Sequence, residues 1–201
     1  MRIVCLDLEG VLIPEIWIAF ARATGIVELR RTTRDESDYD KLMRFRLDIL
    51  AQKGLKLPDI QKVIGGMEPL EGAVDFVNAL RPRAQFVILS DTFEEFAKPL
   101  MAKLGYPTLF CNSLEIAGDG SIAAYRLRQR NGKQCAAAAF KSLNMEVFAA
   151  GDSFNDLNMI REAGNGCLFR PPESIREQCA DLKAVETYDG LLSEIDAFLR
   201  G

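Results

Sequence analysis

The chain of 201 residues contains no histidine. Nucleophile systems that use a histidine base, such as Ser-His-Asp and Cys-His, are therefore excluded. A zinc site is also disfavoured, because the five cysteines are scattered and form no Cys-x-x-Cys pair. Acid–base chemistry near neutral pH must then come from carboxylates, lysine, tyrosine or cysteine.

Long apolar runs are missing as well. The run at the start of the chain is broken by Asp7 and Glu9, so we expect neither a signal peptide nor a membrane span. Cys5 and Cys167 lie inside apolar runs, which favours reduced, buried thiols. The formal net charge of -4 offers no basic surface to nucleic acid or to an anionic membrane. We therefore expect a soluble, cytoplasmic protein without nucleic-acid or membrane partners.

Several short apolar runs end abruptly in polar residues. They cover residues 3–6 before Asp7, 86–89 before Ser90, 147–150 before Gly151 and Asp152, and 166–169 before Arg170. Continuous apolarity over such short runs predicts strands buried on both faces, as in a parallel sheet. Helical patterns lie between them, for example over residues 70–80, 93–104 and 134–143. The alternation predicts an α/β fold with a doubly wound, Rossmann-like parallel sheet.

Ligands bind at the carboxyl ends of the strands in such sheets. The polar residues that end the runs are therefore expected to converge on one site: Asp7, Glu9, Ser90 and Asp152.

A long insertion, residues 14–69, separates the first two apolar runs. Its first predicted helix has Pro14 in the first turn and an apolar stripe of Ile13, Trp17 and Phe20, and a second helix is predicted over about residues 39–52. We interpret residues 14–69 as a small helical cap over a core of residues 1–13 and 70–201. Within the core, Gly118-Asp119-Gly120 predicts a β-hairpin over residues 114–128.

Asp7 and Glu9 stand two positions apart after the first run, with Gly10 next. Two carboxylates at a strand end can point the same way once the backbone turns, so that one attacks or binds a cation while the other handles a proton. A pair of solvated turn acids explains the same residues equally well, because Asp, Glu and Gly are common after strands.

Asp152 lies in Gly-Asp-Ser-Phe-Asn-Asp, residues 151–156, which leads into a helix predicted over residues 156–163. An acid here is placed to share a magnesium ion with Asp7, since magnesium prefers a few protein oxygens together with water and substrate phosphate. The alternative is that Asp152 or Ser153 only caps the helix. Beside the first motif, the magnesium site is the stronger interpretation.

Ser90 and Lys133 are candidates for binding phosphate. Ser90 precedes a helix predicted to start near Thr92, and a hydroxyl with backbone N–H groups at a helix N-terminus binds phosphate. Lys133 begins another predicted helix and can neutralise phosphate charge. Taken alone, an N-capping serine and a solvated surface lysine are the simpler interpretations.

Four segments occur in a recognisable order: Asp-Leu-Glu-Gly-Val at 7–11, Val-Ile-Leu-Ser at 87–90, the lysine at 133, and Gly-Asp-Ser-Phe-Asn-Asp at 151–156. Together they resemble the four motifs of the haloacid dehalogenase-like superfamily. With the helical insertion after the first motif, the chain is most similar to the phosphoserine phosphatase branch. The resemblance covers nearly the whole chain.

The resemblance implies a magnesium-dependent reaction in two steps. Asp7 would attack phosphorus and form an aspartyl-phosphate, while Glu9 would protonate the leaving alcohol and then deprotonate the incoming one. Magnesium would be held by Asp7, the backbone carbonyl of Glu9, and Asp152. The other residues implied at the site are Ser90, Asp91, Lys133 and Asn155 as substrate contacts, with Asp156 orienting Lys133.

Two departures from the common pattern point to a subgroup. Most members carry Asp two residues after the nucleophile, where this chain has the longer Glu9. Relatives also commonly have small residues after the second-motif serine, where this chain has Asp91 and Thr92. In both features the chain resembles a bacterial subgroup whose members combine phosphoserine phosphatase with phosphoserine:homoserine phosphotransferase activity. Phosphoserine, and with it homoserine, are the small-molecule substrates that this resemblance implies.

Arg46 lies within the apolar arc of the second insertion helix, between Leu42 and Leu50. An arginine there is costly unless it is paired or faces a ligand, and guanidinium suits bidentate binding of a carboxylate. A snorkelling side chain or an internal ion pair is the alternative. By resemblance, Glu15 would bind the ammonium group of phosphoserine, although a first-turn acid is stabilised by the helix dipole in any case.

Two other functions remain open from the sequence. A phosphatase of the same superfamily for another small phosphomonoester, such as a phosphosugar, fits the same motifs. A phosphoaspartate signalling module shares the doubly wound sheet and an Asp/Lys constellation, although the long insertion and Glu9 count against it. The oligomeric state is open, and a homodimer is compatible with the sequence.

Overall fold

The computed structural model describes residues 1–32, 35–36 and 38–201. The strands are β1 Arg2–Leu6, β2 Gln85–Phe93, β3 Leu109–Ile116, β4 Ile122–Arg126, β5 Glu146–Gly151, β6 Gly164–Phe169 and β7 Ala184–Val185. The helices are α1 Ile16–Thr24, a 3₁₀ helix Val27–Arg30, α2 Tyr39–Gln52, α3 Leu57–Gly65, α4 Ala73–Leu80, α5 Glu94–Lys103, α6 Gly132–Ser142, α7 Phe154–Ala163, α8 Glu173–Gln178 and α9 Tyr188–Arg200.

The strands form one seven-stranded sheet in the order β4-β3-β2-β1-β5-β6-β7. Neighbouring strands are parallel except for β3 and β4, which form the predicted hairpin. The chain runs outward from β1 to β3 and then returns to β5 on the other side of β1, so the sheet is doubly wound as predicted. The winding direction reverses between β1 and β5, and such sheets bind ligands at the carboxyl ends of the strands at this point.

Both faces of the sheet are covered by helices. In β1, Val4 and Leu6 pack into the apolar layer that contains buried residues of α4, α5 and α9. Ile3 and Cys5 point to the other face, into the layer that contains buried residues of α6, α7 and α8. Because both faces are buried, the strands appear in the sequence as continuous rather than alternating apolar runs.

The insertion between β1 and α4 is helical, as predicted. Helix α2 has the predicted bounds, whereas the 3₁₀ helix and α3 are additional elements. Trp17 of α1 packs edge-on against Phe96 of α5, with 5.5 Å between ring centroids, so the insertion shares apolar contacts with the core. None of the helices in the described ranges combines the length and apolarity that crossing a bilayer requires.

Two helix starts differ from the prediction. Pro14 precedes α1 instead of lying in its first turn, and Glu15 is the N-cap residue. The cause is a tight loop in which the N–H of Gly10 donates to the carbonyl of Ile13 over 2.8 Å, which keeps Ile13 outside the helix. Strand β2 continues to Phe93, so Ser90 lies in the strand and not at a helix N-terminus.

We expect Phe96→Ala to lower the free energy of unfolding by about 3–5 kcal/mol, because the ring is fully buried and its removal leaves a cavity between α1 and α5. Val27→Ala is the matched control, since Val27 is 63% exposed and its change should cost less than about 0.5 kcal/mol. Urea unfolding of both variants measures the difference. Equal losses in the two variants would contradict the burial of Phe96 between α1 and α5.

Candidate active site

A cavity of about 320 Å³ opens at the carboxyl ends of β1, β2 and β5, next to α1 and α2. Most of the residues that the sequence singled out line it: Asp7, Glu9, Glu15, Arg46, Ser90, Asp91, Lys133, Asp152 and Asn155. Asp156 lies directly behind this wall, fully buried. The convergence that strand-end topology predicted is therefore present in the structure.

Lys133 is a buried cation held between two buried carboxylates. Its Nζ lies 2.8 Å from Asp7 Oδ1 and 2.8 Å from Asp156 Oδ1. Burial disfavours the charged form, but Asp156 and Asp7 outweigh it and raise the pKa of Lys133 well above its usual value. Burial, together with Asp156, also raises the pKa of Asp7, which Lys133 opposes. The solvated surface lysine that the sequence allowed is therefore not what the structure contains.

Asp156 uses both carboxylate oxygens within the protein. Oδ1 accepts from Lys133, and Oδ2 accepts from the backbone N–H groups of Asp152 and Ser153 at 3.1 and 3.0 Å. A side chain at Gly151 would collide with it, because an added Cβ would lie 2.1 Å from Asp156 Cγ. Asp156 thus joins the end of β5 to the first turns of α6 and α7.

Asp152 is the carboxylate with capacity for a cation. Its Oδ1 is buried and has no hydrogen-bond partner among the described residues. Carboxylate oxygens of Asp7, Asp152 and Asp156 all lie within 4.8 Å of one another. Burial, with Asp156 and Glu15 nearby, raises the pKa of Asp152 to about 7. An unpaired oxygen beside Asp7 fits a hard divalent cation, and the cluster can hold one.

Gly10 is required where β1 meets this cluster. Its φ of +76° is in the left-handed region, and an added Cβ would lie only 2.4 Å from Asp152 Cγ. Gly10 in the first motif therefore lets the backbone after β1 approach the Asp152 carboxylate.

Glu9 connects the strand end to the insertion. Its Oε2 accepts a hydrogen bond from the backbone N–H of Ile16 at 3.0 Å, at the start of α1. Glu15, the N-cap residue, makes no capping bond with its own side chain, so Glu9 takes over that role. Burial, with repulsion from Glu15, raises the pKa of Glu9 to about 8, and the bond from Ile16 opposes the rise.

Thr92 is a site residue to which the sequence analysis gave no role. Its side chain opposes the rise in the pKa of Glu9, and it lines the cavity. The sequence signal that could have indicated Thr92 is its position in the second motif, where Asp91 and Thr92 replace the small residues that are common in relatives. Tyr39 and Trp17, which also line the cavity, belong to the insertion and carry no motif.

Arg46 is buried in the cavity wall, 6% exposed, with its guanidinium 4.6 Å from the ring centroid of Trp17. One terminal nitrogen donates to the Arg31 carbonyl at 2.8 Å, while Nε is buried without a partner among the described residues. Burial lowers its pKa to about 10. The structure shows neither a snorkelling side chain nor, in the part of the chain that it describes, an ion pair.

The remaining predicted residues lie at the rim. Glu15, Asp91 and Asn155 are exposed and border the cavity. The backbone carbonyl of Asp91 accepts hydrogen bonds from the Tyr39 hydroxyl at 3.3 Å and from the Asn112 side chain at 2.9 Å.

Comparison with known proteins agrees with this geometry. Residues 1–164 match the family of haloacid dehalogenase-like hydrolases, and the chain belongs to this family. It is 56% identical to "Phosphoserine phosphatase ThrH" of Pseudomonas aeruginosa, over 96% of this chain and 95% of that protein. It is 54% identical to a phosphoserine phosphatase of Pseudomonas syringae, over 96% and 82%. A substrate-bound phosphoserine phosphatase structure shares the fold, with a TM-score of 0.75, 21% identity and coverage of 98% and 97%.

We expect Lys133→Met to lower the free energy of unfolding by about 3–5 kcal/mol, since it leaves two buried carboxylates without a cation. Lys133 opposes the rise in the pKa of Asp7, so its removal raises that pKa further, and the Asp7 carboxyl of the variant is tolerated when protonated and strongly disfavoured once ionised. The loss should therefore be greater at pH 8 than at pH 5, in urea unfolding with EDTA present.

Lys141→Met on the same helix is the control. Its ion pair with Glu162 is partly exposed to solvent, so Lys141→Met should cost less than about 1 kcal/mol at both pH values. A Lys133→Met loss that is no larger than this would contradict the structural role of the buried cluster.

Proposed function

We propose that the protein is a magnesium-dependent phosphoserine phosphatase that forms an aspartyl-phosphate on Asp7 and also transfers the phosphoryl group to homoserine. The observation that carries the proposal is the buried Asp7–Lys133 pair beside the unpaired oxygen of Asp152, across one cavity from the buried Arg46. We assign residues 14–69 as a cap over a core of residues 1–13 and 70–201.

In the first step, an Asp7 oxygen attacks phosphorus while the bond from phosphorus to the serine oxygen breaks. Lys133, in contact with Asp7, stabilises the ionised carboxylate and the negative charge of the phosphoryl group. Glu9 donates a proton to the leaving oxygen, and a pKa of about 8 keeps much of it protonated near neutral pH. Ser90 binds a phosphoryl oxygen through its hydroxyl, and Asn155 contacts the group from the rim.

Asp7, Asp152 and the backbone carbonyl of Glu9 would hold Mg²⁺. When bound, the ion offsets the charge of the carboxylates and the phosphate, which would otherwise repel each other. The unpaired oxygen of Asp152 supports this assignment. Asp156 is not given a ligand role, because both of its oxygens bind within the protein.

In the second step, Glu9 removes a proton from the incoming hydroxyl, whose oxygen attacks phosphorus and releases Asp7. Water yields free phosphate, and homoserine yields phosphohomoserine. Homoserine carries the same carboxylate and ammonium groups as serine, so one set of binding residues serves both. Arg46 binds the carboxylate, and Glu15 at the rim binds the ammonium group.

Three findings favour this function over the alternatives. Both Pseudomonas relatives are named phosphoserine phosphatases and match nearly the whole chain. A phosphosugar has no carboxylate to pair with the buried Arg46. Membership of a hydrolase family favours an enzyme over a phosphoaspartate signalling module. The free thiols of the cysteines suit the reducing cytoplasm, where we place the protein.

With phosphoserine and Mg²⁺, we expect release of phosphate, and with added homoserine we expect phosphohomoserine as a second product. EDTA should abolish both reactions, and Asp7→Asn should lower kcat by at least about 10³-fold, because it removes the nucleophile. Phosphate assay and mass spectrometry measure the two products. If neither product forms, the proposed function fails; if only phosphate forms, the transfer part fails.

We expect Arg46→Ala to raise KM for phosphoserine by about 10–100-fold, since a charged hydrogen bond to the carboxylate is lost. Phosphoethanolamine lacks that carboxylate, so its turnover by the same variant should stay within about 3-fold of the parent value.

Arg44→Ala provides the matched control for this prediction. Arg44 lies on the same helix, but its side chain is 75% exposed and paired with Asp40, so both substrates should be unaffected. An equal loss with both substrates in Arg46→Ala would remove the support for an amino-acid substrate.

A further inference from the structure

The second motif lies where the regular pairing of β2 with β3 is interrupted. Strands β2 and β3 pair at Leu89↔Phe110 and next at Phe93↔Asn112, so β2 contains two more residues than β3 over this interval. Residues 90–92 therefore leave the regular ladder, and their backbone polar groups need other partners.

Asn112 supplies one of these partners. Its Nδ2 donates to the backbone carbonyl of Asp91 at 2.9 Å, and its Oδ1 accepts from the backbone N–H of Arg128 at 3.0 Å. The side chain is 7% exposed, and both ends of the amide are used. It borders a different cavity, with Glu94 and Arg128, and is not among the residues that line the active-site cavity.

The carbonyl that Asn112 holds belongs to the same peptide unit as the N–H of Thr92. That N–H donates to the Ser90 hydroxyl oxygen at 3.2 Å. A peptide unit is planar, so fixing its oxygen also fixes the direction of its N–H. The chain of contacts thus runs from the Asn112 amide through the peptide between Asp91 and Thr92 to Ser90 Oγ.

We propose that Asn112 is a positioning residue for phosphoryl transfer: it fixes the peptide between Asp91 and Thr92 and thereby orients the Ser90 hydroxyl toward the phosphoryl group. The proposal rests on the function given above, in which Ser90 binds that group. Asn112 itself touches neither substrate nor reacting atoms. The Tyr39 hydroxyl donates to the same carbonyl from α2, but at 3.3 Å its bond is longer.

The test is Asn112→Asp, which keeps the size of the side chain and the acceptor for Arg128 but replaces the donor to Asp91. We expect kcat to fall by about 10–100-fold with KM within about 3-fold, because misplacing one phosphoryl contact affects mainly the transition state. Asn112→Ser removes the amide without burying a charge and carries the same test if Asn112→Asp does not fold. Each variant is assayed under conditions in which urea unfolding shows that it is folded.

Ser90→Ala distinguishes positioning from a structural role. If Asn112 acts through Ser90, the double variant should lose much less than the product of the two single losses. Ser113→Ala, at the next position of β3, is the control and should stay within about 2-fold. A folded Asn112 variant whose kcat is within about 3-fold of the parent, or a double variant that shows the full product, overturns the proposal.

With p-nitrophenyl phosphate as substrate, the role of Asn112 is tested separately from the proposed phosphoserine phosphatase function. This substrate reports transfer of the phosphoryl group to the enzyme without any amino-acid recognition. If the parent hydrolyses it but not phosphoserine, the substrate assignment fails while the role of Asn112 is still measured. If phosphoserine is turned over and the Asn112 effects are absent on both substrates, only the positioning role fails.

Discussion

The structure of the site depends on one buried ion cluster, in which the Lys133 ammonium lies between the carboxylates of Asp7 and Asp156. A buried ammonium without carboxylates, or two buried carboxylates without a cation, would be strongly disfavoured in this position. Because each charge is tolerated only with the others, the end of β1 and the starts of α6 and α7 must come together. The cluster therefore fixes the geometry of three segments that are distant in sequence.

The acidic groups around this cluster are arranged with unequal roles. Asp156 has both oxygens occupied within the protein, whereas Asp152 keeps a buried oxygen without a partner. Glu9 faces the start of α1 and has a raised pKa because of burial and the neighbouring Glu15. These differences in hydrogen bonding underlie the supporting, cation-binding and proton-transferring roles that we propose for Asp156, Asp152 and Glu9.

The side chain of Glu9 connects the end of β1 to the start of the insertion. Its bond to the N–H of Ile16 caps α1, whose own N-cap residue makes no side-chain cap. Arg46 on α2 lies over Trp17 of α1 and borders the same cavity. The insertion therefore contributes directly to the cavity, since it supplies a hydrogen-bond donor to the Glu9 carboxylate and a buried cation.

The sequence by itself determined the sheet, because strands buried on both faces must be apolar throughout, and it determined the acids at the strand ends. It indicated Arg46 through its place in an apolar arc. It placed α5 to within two residues, but it did not show that Ser90 lies in a bulge of β2 and not at the helix N-terminus, since that bulge depends on pairing with β3. Only the tertiary structure decided that Lys133 is buried and that Asn112 supports the second motif, because both depend on partners that no local pattern records.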